Sequence, residues 1–584
     1  MKISTKILSI FIFASTALSA QTNSDLNKEV EVIKDYQPSI SDAYKITSNP
    51  VIRDTNSYTP SFLYNIYSSD IEIDKNINHF PVVKLSNPPR AKSNTGYAKA
   101  AIGNALTPYG ELVINTSPAK NTDFGVHFYH FSSRPNMKLN NEQKVEAPYS
   151  NNMARIFMKN YFRKSVLEWD VNYKRNRINY YGFPGDTLAY NQFKDESGEY
   201  NSKQAFNNAS ASLNLHNINR RSKLDYNVGL NYNYFWNSTG QSEHHAGYNG
   251  VFTRRYRTHQ LVFNTEFDYY LKNDIVHNFD PSLNDHQYFN AKISPEYHIS
   301  KDIFDLKAGV NLSTLIGADS TLRWHISPKI YFAYHPIKGV MTVFAGTDGG
   351  FRHSSYSSMV SENPYIDYNT DLKPSEEVIQ IYGGFKGKIS RRLSYLIGVN
   401  YSINQNEALH FQTNTIYSAD SMAFNNMFTP VYDDINRLKF GGKFRFSGQR
   451  TTISLEGNYY IYSADSLSNL PHLPAYDASL DIALSITNKI NATAGATVIG
   501  KQKGYVKNIP QAPLPLTAMN ITPSAFEEYD LDTAIDISLG AEYQYSKNMY
   551  FYLNANNLLN QNYQRWNGYN QQGLLILLGA RIAF

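Results

Sequence analysis

The sequence predicts an all-β protein, a transmembrane antiparallel β-barrel of about 22 strands with a short, mostly irregular N-terminal arm. Three observations predict it: an export signal at the start, long segments of two-residue alternation, and connections that are short and long by turns.

Lys2 and Lys6 precede an apolar stretch over residues 7–17, which is followed by Ser19, Ala20 and Gln21. Charged, apolar and small regions in that order make residues 1–20 a secretory signal peptide, cut after Ala20. The 584 residues include no cysteine, carry a formal net charge of +5 and have a mean hydropathy of −0.46. No disulfide or lipidated cysteine is therefore available. Past the signal, no apolar run is long enough for a membrane-spanning helix. Basic and acidic residues are intermingled, which leaves no basic face for nucleic acid. The one dense cluster, Arg254, Arg255 and Arg257, reads as a turn.

Residues 21–94 read as a periplasmic arm. Pro38, Pro50, Pro60, Pro81, Pro88 and Pro89 each remove a backbone donor and oppose regular ladders. Phe62, Leu63, Tyr64, Ile66, Tyr67, Ile71 and Ile73 carry too much apolar surface for a solvated linker. The arm is expected to be extended but docked. Its stretch Glu29, Val30, Val32, Ile33 and Tyr36 is suited to adding as a strand to a periplasmic partner such as TonB. The favoured reading is an ordered arm lying against the barrel or filling part of its lumen.

Residues 95–584 carry the alternation, which puts successive side chains on opposite faces of a strand. Leu224, Tyr226, Val228, Leu230, Tyr232 and Tyr234 interleave with Asp225, Asn227, Gly229, Asn231 and Asn233. Tyr395, Ile397, Val399, Tyr401 and Ile403 do so with Ser394, Gly398, Asn400 and Ser402. Ile535, Ile537, Leu539, Ala541 and Tyr543 alternate with Asp536, Ser538, Gly540, Glu542 and Gln544. Leu438, Phe440, Phe444 and Phe446 oppose Lys439, Lys443 and Arg445, and Ile453, Leu455, Tyr459 and Ile461 oppose Ser454, Glu456 and Asn458. A secreted sandwich or propeller also alternates. Strand lengths suited to a tilted crossing, and the absence of a blade-like repeat, favour the barrel. So do the 46 tyrosines, with pairs Tyr180 and Tyr181, Tyr269 and Tyr270, and Tyr459 and Tyr460 read as aromatic girdles.

Connections at 217–222, 336–339, 390–392, 447–450, 487–489 and 546–548 are tight, whereas those at 134–151, 182–202, 351–373, 412–426 and 502–524 are long. Short periplasmic turns and long extracellular loops are the rule for such barrels, which places both chain ends in the periplasm. The last strand sets Leu574, Ile576, Leu578, Ala580, Ile582 and Phe584 on one face and Arg581 on the other.

Residues 549–584, with Asn557, Leu558, Leu559, Asn560, Tyr563, Trp566, Gly573 and the terminal Phe584, resemble the C-terminal two strands of TonB-dependent receptors. Asn363, Pro364 and the run 371–376 resemble a loop-to-strand element of the same receptors. Those receptors usually carry Gly-Arg before the last strand, where this chain has Gly573 and Leu574. Residues 21–94 are too short for their plug domain. Together with 29–38, 41–45, Gly96, Tyr97 and 103–110, the pattern resembles plugless TonB-receptor-like outer-membrane barrels of Bacteroidota. The resemblance implies contact with outer-membrane lipid and insertion by the barrel assembly machinery, with Ile582 and Phe584 as the assembly signal. It also implies a transport or pore-type role. The alternative is a non-transporting subunit or scaffold of an outer-membrane assembly, secretion or surface-protein complex.

No catalytic, metal or cofactor site is expected. His127, His130, His244, His245, His325, His335 and His353 fit no metal-ligand spacing, and no serine sits in a nucleophile elbow. Asp367, Asn369 and Asp371 match the opening of a calcium loop, but Leu372 and Val378 replace its glycine and glutamate, so the segment reads as a solvated acidic loop. The inward-facing Asp225, Asn227, Asn231, Lys439, Lys443, Arg445, Asp536 and Glu542 are mixed in sign and form no selectivity ring. The protein should fractionate with outer membranes and migrate anomalously on gels until boiled; recovery as a soluble periplasmic or secreted monomer would contradict this reading.

Overall fold

A computed structural model describes residues 95–116, 121–139, 144–181, 203–218, 224–273, 286–317, 321–367, 370, 372–413, 427–467, 469–507 and 526–584. The signal peptide, the arm with Glu29, Val30, Val32, Ile33 and Tyr36, and residues Asn369 and Asp371 lie outside the described residues. Among the described residues no helix is long and apolar enough to cross a membrane.

Alternation becomes strand throughout. The wall begins with β1 (Gly96–Gly103), β2 (Thr107–Asn115) and β3 (Thr122–Ser133), followed by a small hairpin of β4 (Asn136–Lys138) and β5 (Lys144–Glu146). It continues through β6 (Tyr149–Tyr161), β7 (Ser165–Asn179), β8 (Lys203–Asn217), β9 (Leu224–Asn237), β10 (Ser242–Tyr256) and β11 (His259–Asn273). Next come β12 (His286–Ser300), β13 (Phe304–Ile316), β14 (Leu322–Ile337) and β15 (Met341–Arg352), then a short helix, α1 (Tyr356–Glu362). β16 (Ser375–Lys388), β17 (Leu393–Thr413), β18 (Met427–Ser447), β19 (Thr451–Ala464), β20 (Tyr476–Ser485) and β21 (Ile490–Ile499) follow. The hairpin of β22 (Gln502–Lys507) and β23 (Phe526–Leu531) precedes β24 (Ala534–Gln544) and β25 (Met549–Asn556). The chain ends with a hairpin of β26 (Gln564–Trp566) and β27 (Tyr569–Asn570), then β28 (Leu575–Ala583).

Twenty-four strands share one sheet. β22 and β23 join it only through two parallel pairs with β17, so the wall itself has 24 − 2 = 22 strands. Every neighbouring pair in the wall is antiparallel, and β1 closes on β28 from Tyr97↔Ala583 to Gly103↔Leu577. The last residue completes the zip: the Phe584 N–H donates to Gly96 O at 2.9 Å, and Phe584 O accepts from the N–H groups of Thr95 and Gly96. The tight connections named from the sequence lie at the end of the barrel that holds Gly96 and Phe584 and the long ones at the other, which also carries the short turns at 104–106 and 238–241.

Cross-strand partners share a face. The row Leu213, Leu230, Tyr248 and Phe267 points outward, as do Phe385 with Ile397 and Val399 with Phe440 and Tyr459. The neighbouring row Tyr382, Asn400, Lys439 and Tyr460 points into the lumen. Adjacent residues of a strand therefore cannot both join a girdle. Tyr269 and Tyr459 face out, but Tyr270 and Tyr460 face the lumen, and Tyr180 and Tyr181 are buried above the wall. Within the arginine cluster, Arg257 occupies a turn with φ 51°, whereas Arg255 pairs with Asp225 at 2.7 Å.

The register makes a direct prediction. Ile397→Arg, on the outer face, should cost roughly 2–4 kcal/mol of folding free energy in lipid vesicles, and Asn400→Arg, on the lumen face, much less. Denaturant titration of both variants checks this, and equal losses would show the register to be wrong.

Candidate functional site

The wall surrounds a lumen too wide for its own side chains to fill. At the long-connection end, segments from around the barrel fold toward one another. Met137, Leu139 and Val145 come from the β4–β5 hairpin, and Tyr180 and Tyr181 from beyond β7. Phe206 and Phe235 cap β8 and β9, Tyr356, Met359, Tyr365 and Ile366 come from the β15–β16 connection, and Met427 and Phe428 begin β18. Trp566 and Tyr569 come from the β26–β27 hairpin. All are buried in one apolar cluster, which forms a lid over the mouth. At its centre the rings of Tyr365 and Tyr569 stack with centroids 3.3 Å apart, and Tyr181 meets Tyr569 edge-on at 5.1 Å. On the far side Trp566 packs against Phe428, His410 and His472 at 5.4, 5.1 and 4.7 Å.

The β15–β16 connection is tied to the inner face of β10, β11 and β12, three to five strands away from β15. Ser355 caps α1 through a reciprocal pairing with Ser358. The buried Glu243 carboxylate on β10 accepts from the N–H groups of Tyr356 (2.6 Å) and Ser357 (3.4 Å), satisfying orphan donors of the first turn. Lys272 on β11 donates to Thr370 O at 3.0 Å, and the Tyr288 hydroxyl on β12 donates to Leu372 O. His353 stacks on Tyr270, whose other neighbour is His245. Tyr365 and Asp367 pair with Phe428 like a short added strand. Asp367 is thus only 6% exposed, not the member of a solvated acidic loop that the sequence suggests.

Below the lid, the wall of β15–β19 holds a recess of ≈ 430 Å³. Its floor is bare because the inward positions Gly384, Gly398 and Gly441 are partners across three strands. Arg437, Lys439, Lys443 and Tyr460 rim it, with Glu456 as the acid among the lining residues. Lys443 pairs with Glu456 at 3.2 Å, and the Lys439 ammonium lies 5.5 Å over the Tyr460 ring. Positive charge is in excess there. Several other lumen groups are paired: His127 with Glu111, His245 with Asp268, His335 with Asp305, and Arg581 with Glu542. No group of three or more His, Asp or Glu among the described residues is placed to hold a metal ion. Ile582 and Phe584 face outward at the seam of closure. The β-periodic sequence signals locate the wall rows, but the lid gives no local signal, because its members are brought together from many separate connections.

These features define a closed 22-stranded antiparallel β-barrel with the fold of TonB-dependent receptors. No protein-family model matches the sequence, and no curated protein matches it. Among solved structures, the FrpB iron transporter from Neisseria meningitidis is similar at 11% identity and a TM-score of 0.62, over 84% of this chain and 82% of that one. The siderophore receptor PirA from Acinetobacter baumannii is similar at 12% identity and a TM-score of 0.62, over 85% and 81%. The ferric-catecholate import receptor Fiu from E. coli K12 is similar at 13% identity and a TM-score of 0.58, over 84% and 82%. At such identities the likeness concerns the fold.

Burial pushes the imidazoles of His353 and His472 down to about 3, so both are neutral in the closed lid. An opened segment would return them to about 6.5. Their contribution is therefore complete above pH ~6.5 and is lost as pH falls toward 3, because the open state takes up protons that the closed state refuses. The neighbouring His410, 3.7 Å away, holds the Glu362 carboxyl below its usual range, and protonation weakens that link in the same direction. Limited proteolysis of the lid should accelerate on acidification from pH 7 to 4, and His472→Phe should blunt the effect.

Proposed function

We propose that the chain is a plugless transport barrel of the outer membrane whose own loops supply the closure at its mouth. In this reading the long connections are extracellular, both chain ends are periplasmic, and the mature barrel spans residues 95–584. The observation that carries it is the lid: an aromatic core drawn from separate connections around the wall, set above a lumen with a cation-rich recess. Barrels of this strand number otherwise contain a plug, and in this reading the arm of residues 21–94 does not form one. The similar structures include import receptors and metal transporters, which supports uptake rather than a chemical reaction. The surplus charge of Arg437 and Lys439 supports an anionic solute. Glu29, Val30, Val32, Ile33 and Tyr36 then serve as a periplasmic docking strand, and the rest of the arm as an inner closure.

Single-channel recording in planar bilayers tests this. Trp566→Ala with Tyr569→Ala should raise conductance, as should deletion of residues 21–94, with heat-modifiable migration retained. Arg437→Gln with Lys439→Gln should shift the reversal potential toward cations. Unchanged conductance in all variants, with partner proteins released by loss of the arm, would favour the scaffold role instead.

A further inference from the structure

The wall has a seam. β14 pairs with β13 along its length, from Phe304↔Tyr334 to Ile316↔Leu322, but with β15 only from Ile337↔Met341 up to Ile330↔Thr347. Among the described residues, the upper part of β14, from Leu322 to Lys329, has no ladder partner on its β15 side. The cause is local. His335 donates its N–H to Ile303 on the β13 side, so odd-numbered residues of β14 serve β13 and even-numbered ones serve β15. The first even position above Ile330 is Pro328, which has no N–H to give.

β15 parts from β14 at the same height while staying paired with β16 as far as Arg352↔Ser375. Its ladder with β16 shifts register between Asp348 and Gly350. A side chain at Gly349 would meet Ser327 and the Glu377 carbonyl at 3.0 Å, so glycine lets the strand cross close behind β14, on the lumen side. Side chains replace the missing ladder. Asn311 donates to Asp348 at 2.5 Å and to Gly349 O at 2.9 Å, and Glu376 on β16 pairs with Arg323 (2.8 Å) and His325 (2.7 Å) on β14.

The free edge is amphipathic. Leu322, Trp324 and Ile326 point out, 53%, 66% and 70% exposed, while Arg323, His325, Ser327 and Lys329 point in. Between them the N–H groups of Leu322, Trp324 and Ile326 face the seam. The buried Nε2 of His325 has no hydrogen-bond partner. At ~3.4 Å per residue and a tilt near 45°, Pro328 lies about 22 Å above the short-turn end, near the top of a hydrocarbon band roughly 25 Å tall. The open edge therefore starts at the headgroup level of the leaflet on the lid side. There unpaired peptide groups can be satisfied by polar headgroups, which hydrocarbon would not allow.

We propose that this seam is a lateral binding site and portal for an amphiphile of that leaflet, its headgroup at the open edge beside Trp324 and Ile326, reaching the lumen past Ser327 and His325, and its chain below them against the outward-facing Ile330 and Phe332. Arg323 and Glu376 form the clasp. A lipid fits better than an added strand from another protein, because Pro328 removes a donor at the point where pairing would continue and the edge above it is short. The proposal rests on the transport reading only for its use in uptake; lipid access at the seam and conductance through the lumen are measured separately.

The test uses the full chain in nanodiscs of phosphatidylglycerol and phosphatidylethanolamine, with the photo-crosslinker p-benzoylphenylalanine placed at Ile326, Ser327 or Asn400. Lipid-mass adducts are expected at Ile326 and at the inward-facing Ser327, and none at Asn400, which lies on the lumen face away from the seam. A second arm of the experiment exploits the absence of native cysteine. With the probe moved to His325, oxidising a Ser327→Cys, Gly349→Cys pair should abolish its lipid adduct, and reduction should restore it. Adducts at Ile326 alone, in a barrel that still shows heat-modifiable migration, would overturn the portal. So would an inward adduct indifferent to the disulfide, or a protein adduct at Ile326 in native outer membranes in place of lipid.

Discussion

The structure depends on one constraint: in hydrocarbon, every backbone N–H and C=O must be paired within the protein. A sheet meets it only by closing on itself, and here closure is made by β1 and β28, the first and last strands of the wall. The backbone of Phe584 bonds with Thr95 and Gly96, so the chain end is part of the seal. With the peptide groups committed to the ladder, side chains are left to define two solvents. Leu230 and Phe440 face outward while Asn231 and Lys439 face the lumen, and the two-residue period follows.

The same constraint gives meaning to the place where pairing stops. Pro328 and the Gly349–Gly350 step together end the β14–β15 ladder, and neither alone accounts for it. A proline without the glycines would leave a gap facing a neighbour still in the wall. The glycines without the proline would leave a donor seeking a partner. The replacement links, Asn311 to Asp348 and Arg323 and His325 to Glu376, are side-chain contacts that can part without unzipping a strand. They are a few discrete contacts between largely buried groups, and this sets the seam apart from the continuous ladders on either side.

The wall is legible in the sequence because its signal is local: five residues around Ile397 already assign two faces. The strand number and the parity of the connections follow from the same signal. The lid is not legible, because its contacts join residues far apart in the chain, such as Tyr181 with Tyr569 and Phe206 with Tyr356 through Phe235. Tyr180 and Tyr181 read as interface residues by composition, yet lie just past the end of β7, where the period no longer applies. Asp367 reads as solvated beside other polar residues, but its backbone pairs with Phe428 and carries it under the lid. Pro328 is visible in the sequence without revealing the seam, since a proline's consequence depends on which neighbour its missing N–H would have served.

The lid and the seam are two consequences of one feature, the inward course of the β15–β16 connection. Once β15 steps behind β14, the connection runs along the inner face of the neighbouring wall and is held there on β10, β11 and β12 by Glu243, Lys272 and Tyr288. Anchored there, it brings Tyr365 and Ile366 under the β26–β27 hairpin and gives Trp566 and Tyr569 a surface to pack on. A movement that withdrew the connection from the lumen would therefore open the mouth and release the Glu376 clasp together, since both are made by the same stretch of chain. Axial and lateral access to the lumen are thus mechanically coupled through one segment rather than governed by separate devices.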